Sequence, residues 1–522
     1  MRTLLKKLCV QVFFAVRKGA CRAQLVPLKL FLLTKPQVFG RVFDASMDMN
    51  RRRLFVLLAT VFLSHTLPAQ EMAFRKGSIT DAVQVGDTIP ETFALYLPPD
   101  FETSANWPAL FVFDMKGRGS QALGMFREAA DANGYLLVAS NNIHDSLSIA
   151  DNILVTSRMI NRVYSLFPVQ KQRMYTAGFG TGAQMAALVP SFIKEMSGVV
   201  SMGSDIPNTE ILNEKSPFYY LGIAGRGDFV YADMSKTLDL LRRRKYPNNL
   251  LVFEGGREWP GREYLTIALE LLTMDAMGQG KVSKDRELMV GSYQRLMQQV
   301  ERLITSRRLL GAYNLMEEVS AVFAGTLELD SLRDKMKLLK KDKLYRSQKR
   351  EENSVLLREA LIREDYLYYL EEDILTYNFD NLGWWNFQMG ELAKYQKSGK
   401  LAERYMGQRL EGYLNALVED NIDMLLQATG VDEEALLFLW MLKTITAPKE
   451  YANYLKIISM SSKYEDYGTA LFYLEELLKN GYEEKAGLYQ LEHTALLRIT
   501  PEYNAIIEEY LKDARYEIIP EE

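Results

Sequence analysis

Between Phe93 and about residue 255, short apolar runs alternate with amphipathic stretches, and this alternation restricts the fold more than any other feature of the chain. The runs are Phe93–Leu97, Ala109–Phe113, Leu136–Ala139, Met174–Ala177, Gly198–Met202, Tyr219–Ile223 and Asn249–Phe253. They are rich in Val, Leu or aromatic side chains, and most are bounded by Gly, Asn or Asp, as buried strands are. The stretches between them, such as 121–133, 150–167, 182–195 and 233–244, have helical periodicity. Such alternation predicts an α/β fold: a mostly parallel sheet with helices on both faces. Before Ala109 no helix separates the strands, so an antiparallel edge is expected there.

After about residue 280 the strand signal stops. Gly278 to Lys284 reads as a linker between a domain at 71–280 and an all-α domain at 285–522. Helices are predicted over 285–307, 309–324, 328–375, 386–397, 400–427, 432–445, 448–462, 465–480, 484–497 and 500–513. Several would pair as helix-turn-helix units, the pattern of a small helical solenoid. In the clearest unit, 451–479, Tyr454 and Ile457 lie on one helix and Ala470, Leu474 and Leu477 on the next. That spacing loosely resembles a tetratricopeptide repeat; an irregular helical bundle is the other open reading.

The N-terminal region differs in composition. Residues 1–69 hold 12 Lys/Arg against 2 Asp, leaving 51 Lys/Arg and 65 Asp/Glu in the rest. An acidic body argues against nucleic acid or an anionic membrane as the main partner. Arg51, Arg52 and Arg53 precede the apolar run Leu54–Leu63 and then Thr66-Leu-Pro-Ala-Gln70. This is the plan of a secretory signal peptide over 47–69, cut after Ala69, and the run is too short for a membrane span. The expected location is therefore secreted or periplasmic, with no stable span after cleavage. Residues 1–46 read as a mis-called start or as a presequence. The two cysteines, Cys9 and Cys21, both precede the cut, so a processed chain has no thiol for a nucleophile, disulfide or metal site.

In a parallel α/β sheet, function collects beyond the carboxyl ends of the strands. After Met174–Ala177 comes Gly178-Phe-Gly-Thr-Gly182, a small-residue turn opening a helix. It has the setting of a nucleophile elbow, G-x-S-x-G, but its centre is Gly180, which has no side chain. After Tyr219–Ile223 comes Ala224-Gly-Arg-Gly-Asp228, which places Asp228 where an orienting acid belongs. After Asn249–Phe253 comes Glu254-Gly-Gly-Arg-Glu-Trp-Pro260, with Arg257 where a general base would stand. A guanidinium stays protonated near neutrality and cannot act as that base. After Ala109–Phe113 comes Asp114-Met-Lys-Gly-Arg-Gly119; amides of Met115 or Lys116, with that of Thr181, are the candidate oxyanion donors.

Taken in this order, the four segments resemble the α/β-hydrolase superfamily, nearest to secreted bacterial esterases of the dienelactone-hydrolase and feruloyl-esterase kind. The resemblance covers about 74–276. It implies an α/β-hydrolase sheet whose triad positions are Gly180, Asp228 and Arg257, with only Asp228 of the expected type. Rescue candidates are few. After residue 69 the chain has two histidines, His144 in a loop at the proper end of the sheet and His493 on an expected helix face. Thr181 is the elbow's one hydroxyl. The cysteine and histidine inventory implies no metal, and no cofactor is expected. Three functional readings follow. One is a non-catalytic binding or scaffold protein whose residual pocket takes a small ester or peptide. Another is an active ester or peptide hydrolase with an altered constellation. The last is a helical protein-interaction module with the hydrolase domain as anchor. Arg257 should pair with Asp228 near Gly180. The basic runs at 242–245 and 335–350 read as solvated helix faces, and Trp384-Trp385 as core.

Overall fold

A computed structural model describes residues 74–512 except residue 214, so the signal-peptide and start-site readings fall outside the described residues. Eight strands form one sheet: β1 (Ile79–Gly86), β2 (Ile89–Tyr96), β3 (Trp107–Phe113), β4 (Leu136–Ser140), β5 (Val169–Phe179), β6 (Met196–Met202), β7 (Tyr219–Gly225) and β8 (Asn248–Phe253). Their order is β1-β2-β4-β3-β5-β6-β7-β8. β1 pairs antiparallel with β2 and β2 with β4, and all later pairs are parallel. The antiparallel edge and the α/β-hydrolase-like sheet expected from the sequence are both present. β1 gave no apolar run of its own because its alternate residues face out: only Val83 and Val85 are buried.

Both faces of the sheet are covered. On one lie α1 (Gly119–Asn133) and α5 (Arg262–Gly278); on the other, α2 (Ile149–Leu166), α3 (Thr181–Leu188) and α4 (Tyr231–Arg243). The central strands β3, β4, β6 and β7 are buried on both faces, which is why they read as continuous apolar runs.

The helical region comprises α6 (Arg286–Thr305), α7 (Leu309–Val322), α8 (Asp330–Lys341), α9 (Lys343–Thr376), α10 (Leu382–Gln396), α11 (Leu401–Leu426), α12 (Glu433–Thr446), α13 (Tyr451–Lys463), α14 (Tyr467–Lys479), α15 (Lys485–Gln490) and α16 (Pro501–Leu511). The expected helix over 328–375 divides at Asp342, whose carboxylate caps the next helix through the Leu344 amide. The expected helix over 484–497 stops at Gln490, and His493 sits in a turn with φ 62° rather than on a helix face. The described residues from 74 to 512 belong to one compact unit. The hydrophobic cluster on the α1–α5 face runs past the expected linker through Leu296, Val300, Met316 and Phe323 to Leu332, so α6–α8 extend the core of the sheet. A separate cluster begins at α9 and centres on α12, ten of whose fourteen residues are buried. Tyr454, Ile457, Ala470, Leu474 and Leu477 all pack there, as does Trp385, which donates its indole N–H to Asp373 at 2.8 Å.

Candidate functional site

The chain passes from β5 into α3 through Gly180, with φ 57° and ψ −123°. Only glycine takes that backbone freely. The turn is also tight: a Cβ on Gly178 would lie 2.3 Å from the Gly182 backbone, and one on Gly182 would lie 2.2 Å from the Phe113 carbonyl. The spacing of the three glycines therefore reflects a strand-to-helix turn packed against β3. Thr181 opens α3, so its N–H lacks an intrahelical acceptor.

Asp228 follows β7, and Arg257 follows β8. Their side chains meet, with Arg257 Nη1 3.2 Å from Asp228 Oδ1, and the same nitrogen donates to the Gly203 carbonyl at 2.6 Å. A Cβ on Gly180 would lie 3.3 Å from Arg257 Nη2. The structure thus brings together Gly180, Asp228 and Arg257, distant in sequence. The Arg257 guanidinium lies over the Phe229 ring at 4.4 Å and near Phe179 at 5.6 Å. Its loop is fixed by Trp259, which stacks on Phe179 of the elbow at 5.5 Å. Asp228 is almost fully buried. Burial pushes its carboxyl above the ordinary aspartate range; the Arg257 charge and the Val230 amide oppose that push.

The other candidates lie beside this group without joining it. The Lys116 amide donates to the Asp114 carboxylate at 2.9 Å, so it already has an acceptor. Met115 is buried, and its carbonyl accepts from the Asp145 amide at 2.9 Å. His144 is exposed, with Nδ1 2.8 Å from the Ser146 hydroxyl. The Thr181 hydroxyl interacts with Asp145, whose carboxyl is pushed up by burial and pulled back by that hydrogen bond and by His144 and Lys116.

Sequence reading missed that the helical region closes over this end of the sheet. Arg409 of α11 donates to the Arg226 carbonyl at 2.8 Å and to Glu359 of α9 at 2.6 Å, all within the buried junction. Tyr405 reaches Glu254, and Arg308 pairs with Glu254 at 2.8 Å. A cavity of about 660 Å³ is left between the elbow and these helices. Thr181, Phe229 and Arg257 line one side; Arg363, Tyr413, Asp420 and Lys443 line the other. Arg363 pairs with Asp233 at 2.9 Å and lies over Tyr413 at 4.1 Å. The buried Lys443 ammonium is held by Glu419 at 2.8 Å and Glu450 at 3.0 Å. Desolvation also pushes up Asp205 on the sheet side and Asp420 on α11; Asp233 adds to the effect on Asp205 and Asp423 and Glu419 to that on Asp420, while Arg363 and Arg257, respectively, oppose it. No motif announced these helical residues; the nearest signal was a lysine, Lys443, at the end of an otherwise apolar stretch. Among the described residues, no group of three or more His, Cys, Asp or Glu is placed to hold a metal ion, and no helix is long and apolar enough to cross a membrane.

No known family profile and no curated protein matches the sequence. Solved structures similar to it include an esterase from Pyrobaculum calidifontis, at 14% identity over 45% of this chain and 96% of that one, with TM-score 0.32. Another is an S-formylglutathione hydrolase from Staphylococcus aureus, at 14% identity over 38% and 97%, with TM-score 0.31. Esterase B from Lactobacillus rhamnosis matches at 11% identity over 45% and 99%, with TM-score 0.32. The fold assignment rests on the strand order, the antiparallel edge and the β5-to-α3 turn.

Proposed function

We propose that this chain is a non-catalytic binding or scaffold protein of the cell envelope, built on an α/β-hydrolase fold whose nucleophile and base positions are Gly180 and Arg257. One observation carries the reading: the Arg257 guanidinium lies against the bare Cα of Gly180 while paired to Asp228. A guanidinium in that place neither attacks a carbonyl nor accepts a proton near neutrality. Its Nε and Nη2 donate to no acceptor among the described residues and are available to a ligand. Among the described residues His144 bonds to Ser146 and Thr181 to Asp145, and neither hydrogen-bonds to Asp228 or Arg257. The ligand site in this reading is the cavity under the helices. Asp205 and Asp420 line the cavity alongside Arg257, Arg363 and Lys443, so it can accept a ligand bearing a cationic group as well as an anionic one. A small peptide offers such a group along with a carboxylate for Arg257. The tetratricopeptide-like helices and the signal peptide fit a partner-binding role outside the cytoplasm.

A fluorophosphonate probe tests the reading directly. The purified protein should remain unlabelled, and stoichiometric labelling would overturn the proposal. The double variant Gly180→Ser, Arg257→His should gain labelling, because it restores a hydroxyl and an imidazole beside Asp228.

A further inference from the structure

Helix α9 spans 34 residues, about 50 Å at 1.5 Å per residue. Its buried residues, Tyr345, Glu352, Val355, Glu359, Tyr366, Leu370 and Asp373, share one face. At about 100° per residue, Leu357, Leu361, Tyr368 and Leu375 fall on the opposite face. They are exposed by 67%, 56%, 61% and 80%. Large apolar side chains exposed in a row, at a spacing of seven from 361 to 375, are not the surface of a helix that faces only water.

The charges along the same line are ordered. Lys343, Arg346 and Arg350 precede Leu357; Glu364, Glu371 and Glu372 follow Leu361, and all six are exposed. From Lys343 to Leu375 the line advances in steps of three and four residues, with one extra four-step at Leu357, as a coiled-coil seam with a single stutter does. The ion pairs that α9 makes among the described residues use other positions: Glu352, Arg358, Glu359 and Arg363. The seam is thus basic at one end, apolar at its middle and acidic with apolar residues at the other end.

We propose that this seam is a self-association surface, on which a second copy of the chain lays its own α9 antiparallel across a two-fold axis near Leu357. The charge pattern is self-complementary only in that orientation. An antiparallel copy brings Leu357 against Leu357, Arg350 against Glu364, Lys343 against Glu371 and Arg346 against Tyr368. A parallel copy would set like charges opposite one another. A two-fold interface needs a patch that complements itself; here the flanking charges and the central Leu357 do so, with the two copies of Leu361 beside the axis opposite Asn353.

Sedimentation of the purified chain across a concentration series tests this. The expected species is a dimer, weakened by salt because its flanking pairs are exposed. Leu357→Glu should raise the dissociation constant roughly tenfold or more, with an unchanged circular dichroism spectrum, since the side chain faces solvent in the monomer. Arg350→Glu alone and Glu364→Arg alone should each weaken the dimer, and the two together should restore it. A chain that stays monomeric throughout overturns the proposal and leaves the seam to a different partner. A dimer indifferent to Leu357→Glu overturns it in favour of another face. Single swaps that weaken the dimer without rescue in the pair exclude the antiparallel register.

Discussion

The Arg409–Glu359 and Arg257–Asp228 pairs contain the same chemical groups and differ in what surrounds the cation. The Arg409 side chain is 1% exposed, and Nε, Nη1 and Nη2 all donate, to Glu359 or to the Arg226 carbonyl. The Arg257 side chain is 36% exposed, and only Nη1 donates to acceptors among the described residues. Both carboxylates are buried. A buried carboxylate demands a cation in either place, yet only at Asp228 does that cation retain unused donors facing a cavity. Arg409 fastens the helices to the sheet; Arg257 keeps two donor nitrogens unspent beside the cavity, as the proposed ligand site requires.

The sharpest test of this contrast removes each cation in turn. Arg409→Met should have the largest effect, about 3–5 kcal/mol in chemical denaturation, because Glu359 would be left charged and unpaired in a dry junction. Adding Glu359→Leu should recover much of the loss, since a well-packed apolar pair avoids the desolvation of both ions. If Arg409→Met alone costs less than about 1 kcal/mol, water reaches the junction and the two pairs do not differ as argued.

Arg257→Ala should cost less, about 1–3 kcal/mol at pH 7, because the opening that exposes the guanidinium also admits water to Asp228. Its effect should depend on pH with a definite sign. Asp228 is already raised above its unfolded value by burial, and loss of the Arg257 charge raises it further. A raised carboxyl favours folding most below its unfolded pKa, and that advantage is lost as pH rises through the folded pKa. The deficit of the variant should therefore shrink as pH falls from 7 toward 4. Urea denaturation at several pH values measures it, and a deficit that grows on acidification would contradict the pairing.

These two sites also mark how far the sequence could be read. Gly180, Asp228 and Arg257 were legible because each follows a strand that announces itself, and parallel topology gathers strand ends in one place. Their contact required only that order. Arg409, Glu359, Arg363 and Lys443 were not legible as site or junction residues. On an amphipathic helix, a charged residue inside the apolar face looks like a break in the pattern until the facing helix is known. Nor did the turn from Gly278 to Lys284 reveal that the hydrophobic cluster continues through α6–α8, because periodicity shows which face is buried and not against what. The helix boundaries were read closely at Asp285, Asp432 and Asp466, and missed at Asp342, which sits within a run of charged residues of high helix propensity, and at Gln490.

The smallest expected effect isolates the contact that joins Arg257 to the elbow. Gly180→Ala places a methyl group on a residue with φ 57°, at a cost of about 1–3 kcal/mol from the backbone alone. The new Cβ would also stand 3.3 Å from Arg257 Nη2. That neighbour is the far end of a flexible side chain, so it should yield by a few tenths of an ångström and add little strain. In a double-mutant cycle with Arg257→Ala, the coupling between the two sites should therefore be about 0.5 kcal/mol, the alanine at 180 costing slightly less once the guanidinium is gone. A coupling near zero would place the guanidinium away from the elbow in solution. A coupling of 2 kcal/mol or more, on the scale of interacting neighbours, would mean that Arg257 is held rigidly over Gly180, and its free N–H groups would then be a fixed anchor for a ligand rather than a mobile one.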